Sequence, residues 1–138
     1  MDTSVSIPQL QVVVGLIGNA QHQVLIAQRP PGKMMAGLWE FPGGKVEANE
    51  SHFTALVREL QEELGVRVLQ AQAEWVIEQS YPDRHVILNV WQVTQFAGQP
   101  TGCEGQIVRW VTMDELSNYS FPIANQHILA RLHTLEFS

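Results

Sequence analysis

The spacing of glycine and charged residues from Gly44 to Val66 constrains this chain more than any other feature. Glu50 follows Gly44 after five residues, and Arg58-Glu59-Leu60 follows after seven more. Glu62-Glu63 and Gly65-Val66 complete the run. Between them Phe53, Leu56, Val57, Leu60 and Leu64 recur at i, i+3, i+4, i+7 and i+11, which predicts an amphipathic helix over residues 51–64. Asn49 or Ser51 can cap its start, Glu50 sits where the helix dipole favours an anion, and Gly65 supplies the stop. At about 100° per residue, Glu59, Glu62 and Glu63 fall within an arc of about 100° beside the apolar stripe.

Like charges one turn apart destabilise a helix by roughly 0.2–0.5 kcal/mol. A solvated acidic face is the plain explanation for such a cluster. The chemical explanation is a hard divalent cation, because Mg²⁺ takes carboxylate oxygens and keeps positions for phosphate oxygens and water. On that view Glu59, Glu62 and Glu63 are metal ligands. Arg58 then orients a neighbouring carboxylate through charge-assisted hydrogen bonds.

The spacing decides between the two explanations. All nine specified positions over 23 residues resemble the signature of the Nudix hydrolase family. Three stretches outside it are similar to the MutT subgroup of that family, which sanitises oxidised guanine nucleotides. They are Phe41-Pro42-Gly43-Gly44-Lys45-Val46-Glu47, Tyr81-Pro82-Asp83-Arg84-His85 and Phe121-Pro122-Ile123-Ala124-Asn125. Two positions depart from the pattern. Asn49 stands where the family usually has Gly, and Tyr81 where it more often has Phe. Asn tolerates left-handed backbone better than most residues, so the loop geometry should survive, and Tyr keeps the ring.

The resemblance implies an α/β (α+β) chain with the Nudix fold, a mixed β-sheet sandwiched between helices (α/β/α), as one domain over residues 1–138. It implies Mg²⁺, with Mn²⁺ as a substitute, held by the Gly43 carbonyl, Glu59, Glu62, Glu63 and Glu104. Arg29, Glu40, Lys45, Tyr81, Arg84 and Asn125 match positions that contact the nucleotide. An Asn at the base suits this role physically, since one amide offers donors and an acceptor to a purine edge. The expected reaction hydrolyses a nucleoside triphosphate, 8-oxo-dGTP first, to the monophosphate plus pyrophosphate, a step of nucleotide-pool sanitation and DNA repair. Either Glu62 or Glu104 takes the proton from the attacking water. One alternative keeps the chemistry and changes the base to CTP or 5-methyl-dCTP. Another, of a different class, is a non-catalytic 8-oxoguanine-binding module, since Trp39-Glu40-Phe41-Pro42-Gly43-Gly44-Lys45 is similar to the lesion-recognition domain of adenine glycosylases. Such modules tend to lose box carboxylates, and this chain keeps them.

The rest of the chain is read in order. Residues 8–17 end in a β-branched apolar run and predict a buried strand. Gly18-Asn19 marks a turn, and His22–Gln28 predicts a second strand forming a hairpin with the first. Two prolines and two glycines keep residues 29–37 irregular. There Met34-Met35 packs over a core edge or forms an adaptable wall for a flat base. Val66–Gln79 is an interrupted strand. His85–Gln95 is apolar on both faces, which implies a sheet covered on both sides. Tyr81 at its mouth can stack on a purine. A turn cluster over residues 97–102 precedes a strand at Gln106–Val111 and a short helix capped by Thr112. The last helix begins after Pro122, places Asn125 in its first turn and carries Ile123, Ile128, Leu129 and Leu132 to the core. Histidines 22, 52, 85, 127 and 133 lack metal-ligand spacing and read as structural or surface residues.

A chain of 138 residues with 45% hydrophobic content suits one core. A formal charge of −6 argues against gripping duplex DNA, so a small nucleotide is the expected partner, without nucleic acid. No run of 18 apolar residues and no basic-then-apolar N-terminus is visible, so neither a membrane partner nor a secretory signal is expected. The lone Cys103 fits a reducing cytoplasm, and a cytoplasmic monomer is the expected state.

Overall fold

The computed structural model describes residues 7–135. In chain order it contains strands β1 (Gln9–Ile17), β2 (Gln23–Gln28), β3 (Trp39–Glu40) and β4 (Gly43–Lys45), then helix α1 (His52–Leu64). Strands β5 (Arg67–Tyr81), β6 (Arg84–Ala97) and β7 (Ile107–Thr112) follow, then helix α2 (Ile123–Arg131), with 3-10 turns at Asp114–Asn118 and Leu132–Thr134. Among the described residues no helix is long and apolar enough to cross a membrane.

The strands form two sheets. One is four-stranded and mixed, in the order β4-β1-β6-β5, with β1 parallel to β6 and antiparallel to β4. The other is three-stranded and antiparallel, in the order β3-β2-β7. The expected hairpin of the first two strands does not extend beyond its turn, because β1 and β2 belong to different sheets and are joined at the turn by a Gly18–Val24 bridge and the Asn19 N–H to Gln23 carbonyl bond. The physical reason is burial. Val13 to Ile17 of β1 is buried without a break, so this strand takes an interior place, between β4 and β6. The Asn19 side chain accepts the N–H groups of Gln21 and Gln23 and turns the chain out of the first sheet.

Alternation along β1 builds two cores. Val13 and Ile17 pack with Ala55, Leu56, Leu60 and Leu64 of α1. Val14 and Leu16 pack on the other face with Leu88, Val90, Phe41 and the α2 residues Ala124 and Ile128. The mixed sheet thus lies between helices, as the doubly apolar β6 predicts.

Helix α1 starts at an N-cap on Ser51, whose Oγ accepts the Thr54 N–H at 3.1 Å. It ends at Gly65 in the left-handed region, φ 70°. Asn49 does not cap, but it adopts φ 63°, the left-handed conformation its place requires. Phe53 leaves the buried stripe and packs instead on Trp91, with ring centroids 5.9 Å apart. Ile123 is also a correction: it is exposed, because the buried stripe runs Ala124, Ile128 and Leu132, and Ile123 lies one residue off it. Thr112 and Glu115 cap each other across the 3-10 turn, Thr112 N–H to Glu115 Oε1 at 2.9 Å and Glu115 N–H to Thr112 Oγ1 at 3.3 Å.

Candidate active site

The Gly43-Gly44 pair sets the geometry of the site. A Cβ on Gly43 would collide with the Val13 carbonyl, and one on Gly44 would collide with the Glu59 carboxyl. Only glycine at both positions lets β4 lie against β1 while α1 lays its carboxylates on the β4 backbone. The Gly43 N–H donates to Glu63 Oε2 at 3.1 Å.

Arg58 is the hub of the acidic face. Its fork holds Glu50 in two bonds, Nε to Oε2 at 2.8 Å and Nη2 to Oε1 at 2.9 Å. Nη1 reaches Glu59 Oε1 at 2.9 Å and Glu62 Oε2 at 3.4 Å, and Nη2 donates to the Lys45 carbonyl at 3.0 Å. The guanidinium and the Glu47 N–H bring the Glu50 carboxyl down to about 2. Arg58 therefore neutralises part of the Glu self-repulsion from within the chain.

What Arg58 leaves uncompensated is Glu63. Burial pushes its carboxyl up to about 8 against the Gly43 hydrogen bond, and the negative charges of Glu40, Glu59 and Glu104 add to the push. Glu59 is raised as well, by burial first, with Arg58 opposing. Among the described residues no three His, Cys, Asp or Glu side chains are gathered closely enough to hold a metal ion. The donor chemistry still fits one. The groups are all hard oxygens, and Glu63 sits in a negative field that a divalent cation would relieve.

A cleft of about 600 Å³ opens beside this face. It is lined by Arg29, Glu40, Gly43, Lys45, Glu63, Tyr81, Arg84, Glu104 and Asn125, whereas Arg58, Glu59 and Glu62 do not line it. Arg29 Nε meets Glu40 Oε2 at 3.0 Å, and Arg29 Nη1 donates to the Met34 carbonyl at 3.2 Å. Burial raises the Glu40 carboxyl in spite of that partner. Met34 and Met35 line the cleft and are exposed, so they form a wall and do not pack over a core edge. The Arg84 guanidinium lies 4.8 Å from the centroid of the Tyr81 ring, and its buried Nε has no hydrogen-bond partner among the described residues. Asn125 Oδ1 accepts the Phe41 N–H at 3.2 Å, which leaves its NH₂ as a donor without a partner among the described residues.

The floor escaped the sequence reading. Leu10, Val12 and Val14 of β1 and Val86 and Leu88 of β6 line the cleft, as do Lys33 and Gln106. Both strands read as apolar runs, and such runs do not show which face stays open. Gln106 ends the Gly102–Gln106 loop that is similar to the MutT loop carrying Glu104, but nothing in the local sequence assigns its side chain a role.

The chain is similar to proteins of known family. A family model described as the NUDIX domain matches residues 13–131. The chain is 39% identical over 127 residues to the 8-oxo-dGTP diphosphatase of Escherichia coli (strain K12), covering 92% of this chain and 98% of that one. It is 38% identical over 117 residues to the CTP pyrophosphohydrolase of the same organism, covering 85% and 87%. A solved MutT structure, from work on Aliivibrio salmonicida and Vibrio cholerae, matches with a TM-score of 0.80 at 41% identity, covering 91% of this chain and 98% of that one.

Proposed function

This chain belongs to the Nudix hydrolase family, and from that premise we propose that it is a Mg²⁺-dependent nucleoside triphosphate pyrophosphohydrolase converting 8-oxo-dGTP to 8-oxo-dGMP plus pyrophosphate. The observation that carries the reading is one cleft of about 600 Å³ with the Glu63–Gly43 contact lining it together with Tyr81, Arg84 and Asn125. That volume suits a nucleotide-sized ligand.

Members of this family generally need a divalent metal. Here Glu59, Glu62, Glu63 and Glu104, with the Gly43 carbonyl, would hold Mg²⁺, with Mn²⁺ as a substitute. When bound, such an ion supplies charge neutralisation on the phosphate chain and acidifies water. Arg58 fixes the rotamer of Glu59 and ties it to Glu50. Of the two proton acceptors considered, Glu104 lines the cleft and Glu62 does not, which favours Glu104. Lys45 supplies positive charge to the phosphates. The apolar floor of Leu10, Val86 and Leu88 takes the flat face of the base, with Tyr81 and Arg84 at its side. The Asn125 NH₂ donates to a purine acceptor while Phe41 holds its oxygen. Glu40, paired with Arg29, also holds the base.

Residues 1–138 act on this reading as one domain, a cytoplasmic monomer needing neither nucleic acid nor membrane. The CTP-hydrolysing relative keeps a second reading open, CTP or 5-methyl-dCTP as substrate with the same chemistry. The test is kcat/KM for 8-oxo-dGTP, dGTP, CTP and 5-methyl-dCTP in Mg²⁺, with pyrophosphate measured as product. A preference for 8-oxo-dGTP is expected. A cytosine nucleotide in first place overturns the base assignment only. No pyrophosphate from any of the four overturns the enzyme and leaves a non-catalytic binding module.

A further inference from the structure

A helix leaves its last four carbonyls without partners inside the helix, and something else must satisfy them. At the end of α1 the carbonyl of Glu63 takes two donors from the loop before β7. Gln106 Nε2 donates to it at 2.9 Å and the Cys103 N–H at 3.0 Å. The same Gln106 side chain also turns back on its own loop, where its Oε1 accepts the Glu104 N–H at 2.8 Å. One amide therefore joins the backbone of Glu63 to the backbone of Glu104. At its other end Glu63 is fixed by the Gly43 N–H.

We infer that Gln106 is a positioning residue that holds Glu104 in register with Glu63, so that the loop carboxylate and the helix carboxylate face the cleft as a unit. A side chain that bonds both backbones transmits any shift of the helix end to the loop. Glu104 is exposed, and although Thr101 and Cys103 anchor the loop to the Leu64 and Glu63 carbonyls, the bond made by the Glu104 N–H itself is the one to Gln106, so the amide clamp sets its place. The consequence for turnover rests on the hydrolase reading, whereas the positioning itself does not. Residues that orient site carboxylates in this way typically change affinity or activity by roughly 10–100-fold when lost.

The test uses Gln106→Met, which keeps the volume and loses both hydrogen bonds. In the metal-free protein the Glu104 amide should exchange slowly in wild type and several-fold faster in Gln106→Met, and Cys103 should alkylate faster. In Mg²⁺, kcat should fall about tenfold to a hundredfold with little change in KM. In a Glu104→Gln background the same substitution should cost less than about twofold, because a residue acting through Glu104 has nothing left to position. Losses that multiply would reduce Gln106 to a helix cap and overturn the inference. So would an unprotected Glu104 amide in wild type, a measurement that holds even where the variant fails to fold. Should wild type hydrolyse no nucleotide, the hydrolase reading fails and the exchange and thiol rates still decide the positioning.

Discussion

The amide oxygen of Asn125 accepts the backbone N–H of Phe41 at 3.2 Å, across 84 residues of sequence. This contact places the first turn of α2 against the strand end that leads into Gly43-Gly44, and it fixes which way the amide points.

Asn125 therefore has two separable duties. Asn125→Asp keeps the acceptor for Phe41 and loses the NH₂, so stability should hold while kcat/KM for 8-oxo-dGTP falls roughly tenfold to a hundredfold, from about 1–3 kcal/mol of lost pairing. Asn125→Ala should show the same kinetic loss plus destabilisation by about 1 kcal/mol in urea. Equal slowing of every nucleotide by the Asp variant would mean that the residue supports the fold and not the base.

The two glycines should respond differently to alanine. In Gly43→Ala the new methyl meets the Val13 carbonyl, which is backbone and has nowhere to go. Folding itself should suffer, seen as a lower Tm. In Gly44→Ala it meets the Glu59 carboxyl, the far end of a flexible side chain. The protein should fold with a small change in Tm and lose most of its turnover. A Gly44→Ala enzyme with wild-type kcat would disconnect Glu59 from the chemistry.

Stability without metal should fall as pH rises from about 5 to 8. The Glu63 carboxyl sits at about 8 in the folded chain against an ordinary 4.5, so the folded state holds more protons than the unfolded state across that window. Glu59 and Glu40 are raised too and act with the same sign. The slope is at most about 1.4 kcal/mol per pH unit for each group. Urea unfolding in chelator at three pH values measures it. Glu63→Gln should flatten the curve and raise stability at pH 8. In wild type, Mg²⁺ with a nucleotide product should raise Tm at pH 8, since a ligand of the folded state adds RT ln(1 + [L]/Kd). An unchanged slope in Glu63→Gln would assign the titration to another group.

Arg58 should prove irreplaceable by lysine. Its fork spans Glu50 in two bonds and still reaches Glu59, Glu62 and the Lys45 carbonyl, a pattern that a single ammonium cannot copy. Arg58→Lys should lower the denaturation midpoint at pH 7. It should also weaken the acid limb of stability. Glu50 is held at about 2, so its contribution is present above the ordinary 4.5 and is lost as pH falls toward 2. A lysine variant with wild-type midpoints at pH 3 and pH 7 would contradict this.

The sequence by itself determined α1, its two ends and its acidic face, the left-handed Asn49, the irregular loop over residues 29–37 and the doubly apolar β6. All of these follow from periodicity or from turn chemistry within a few residues, and both are written locally. Tertiary structure alone decided that β1 and β2 part into two sheets, that Ile123 faces water and Phe53 meets Trp91, and that Leu10, Val86 and Leu88 floor the cleft. It also decided that Arg58 answers the acidic cluster from within, and that Asn125 and Gln106 tie distant backbones together. The reason is common to them all. A strand's partner and a side chain's facing depend on which other surfaces compete for burial, and an amide's partners are whatever backbone groups the fold leaves unpaired.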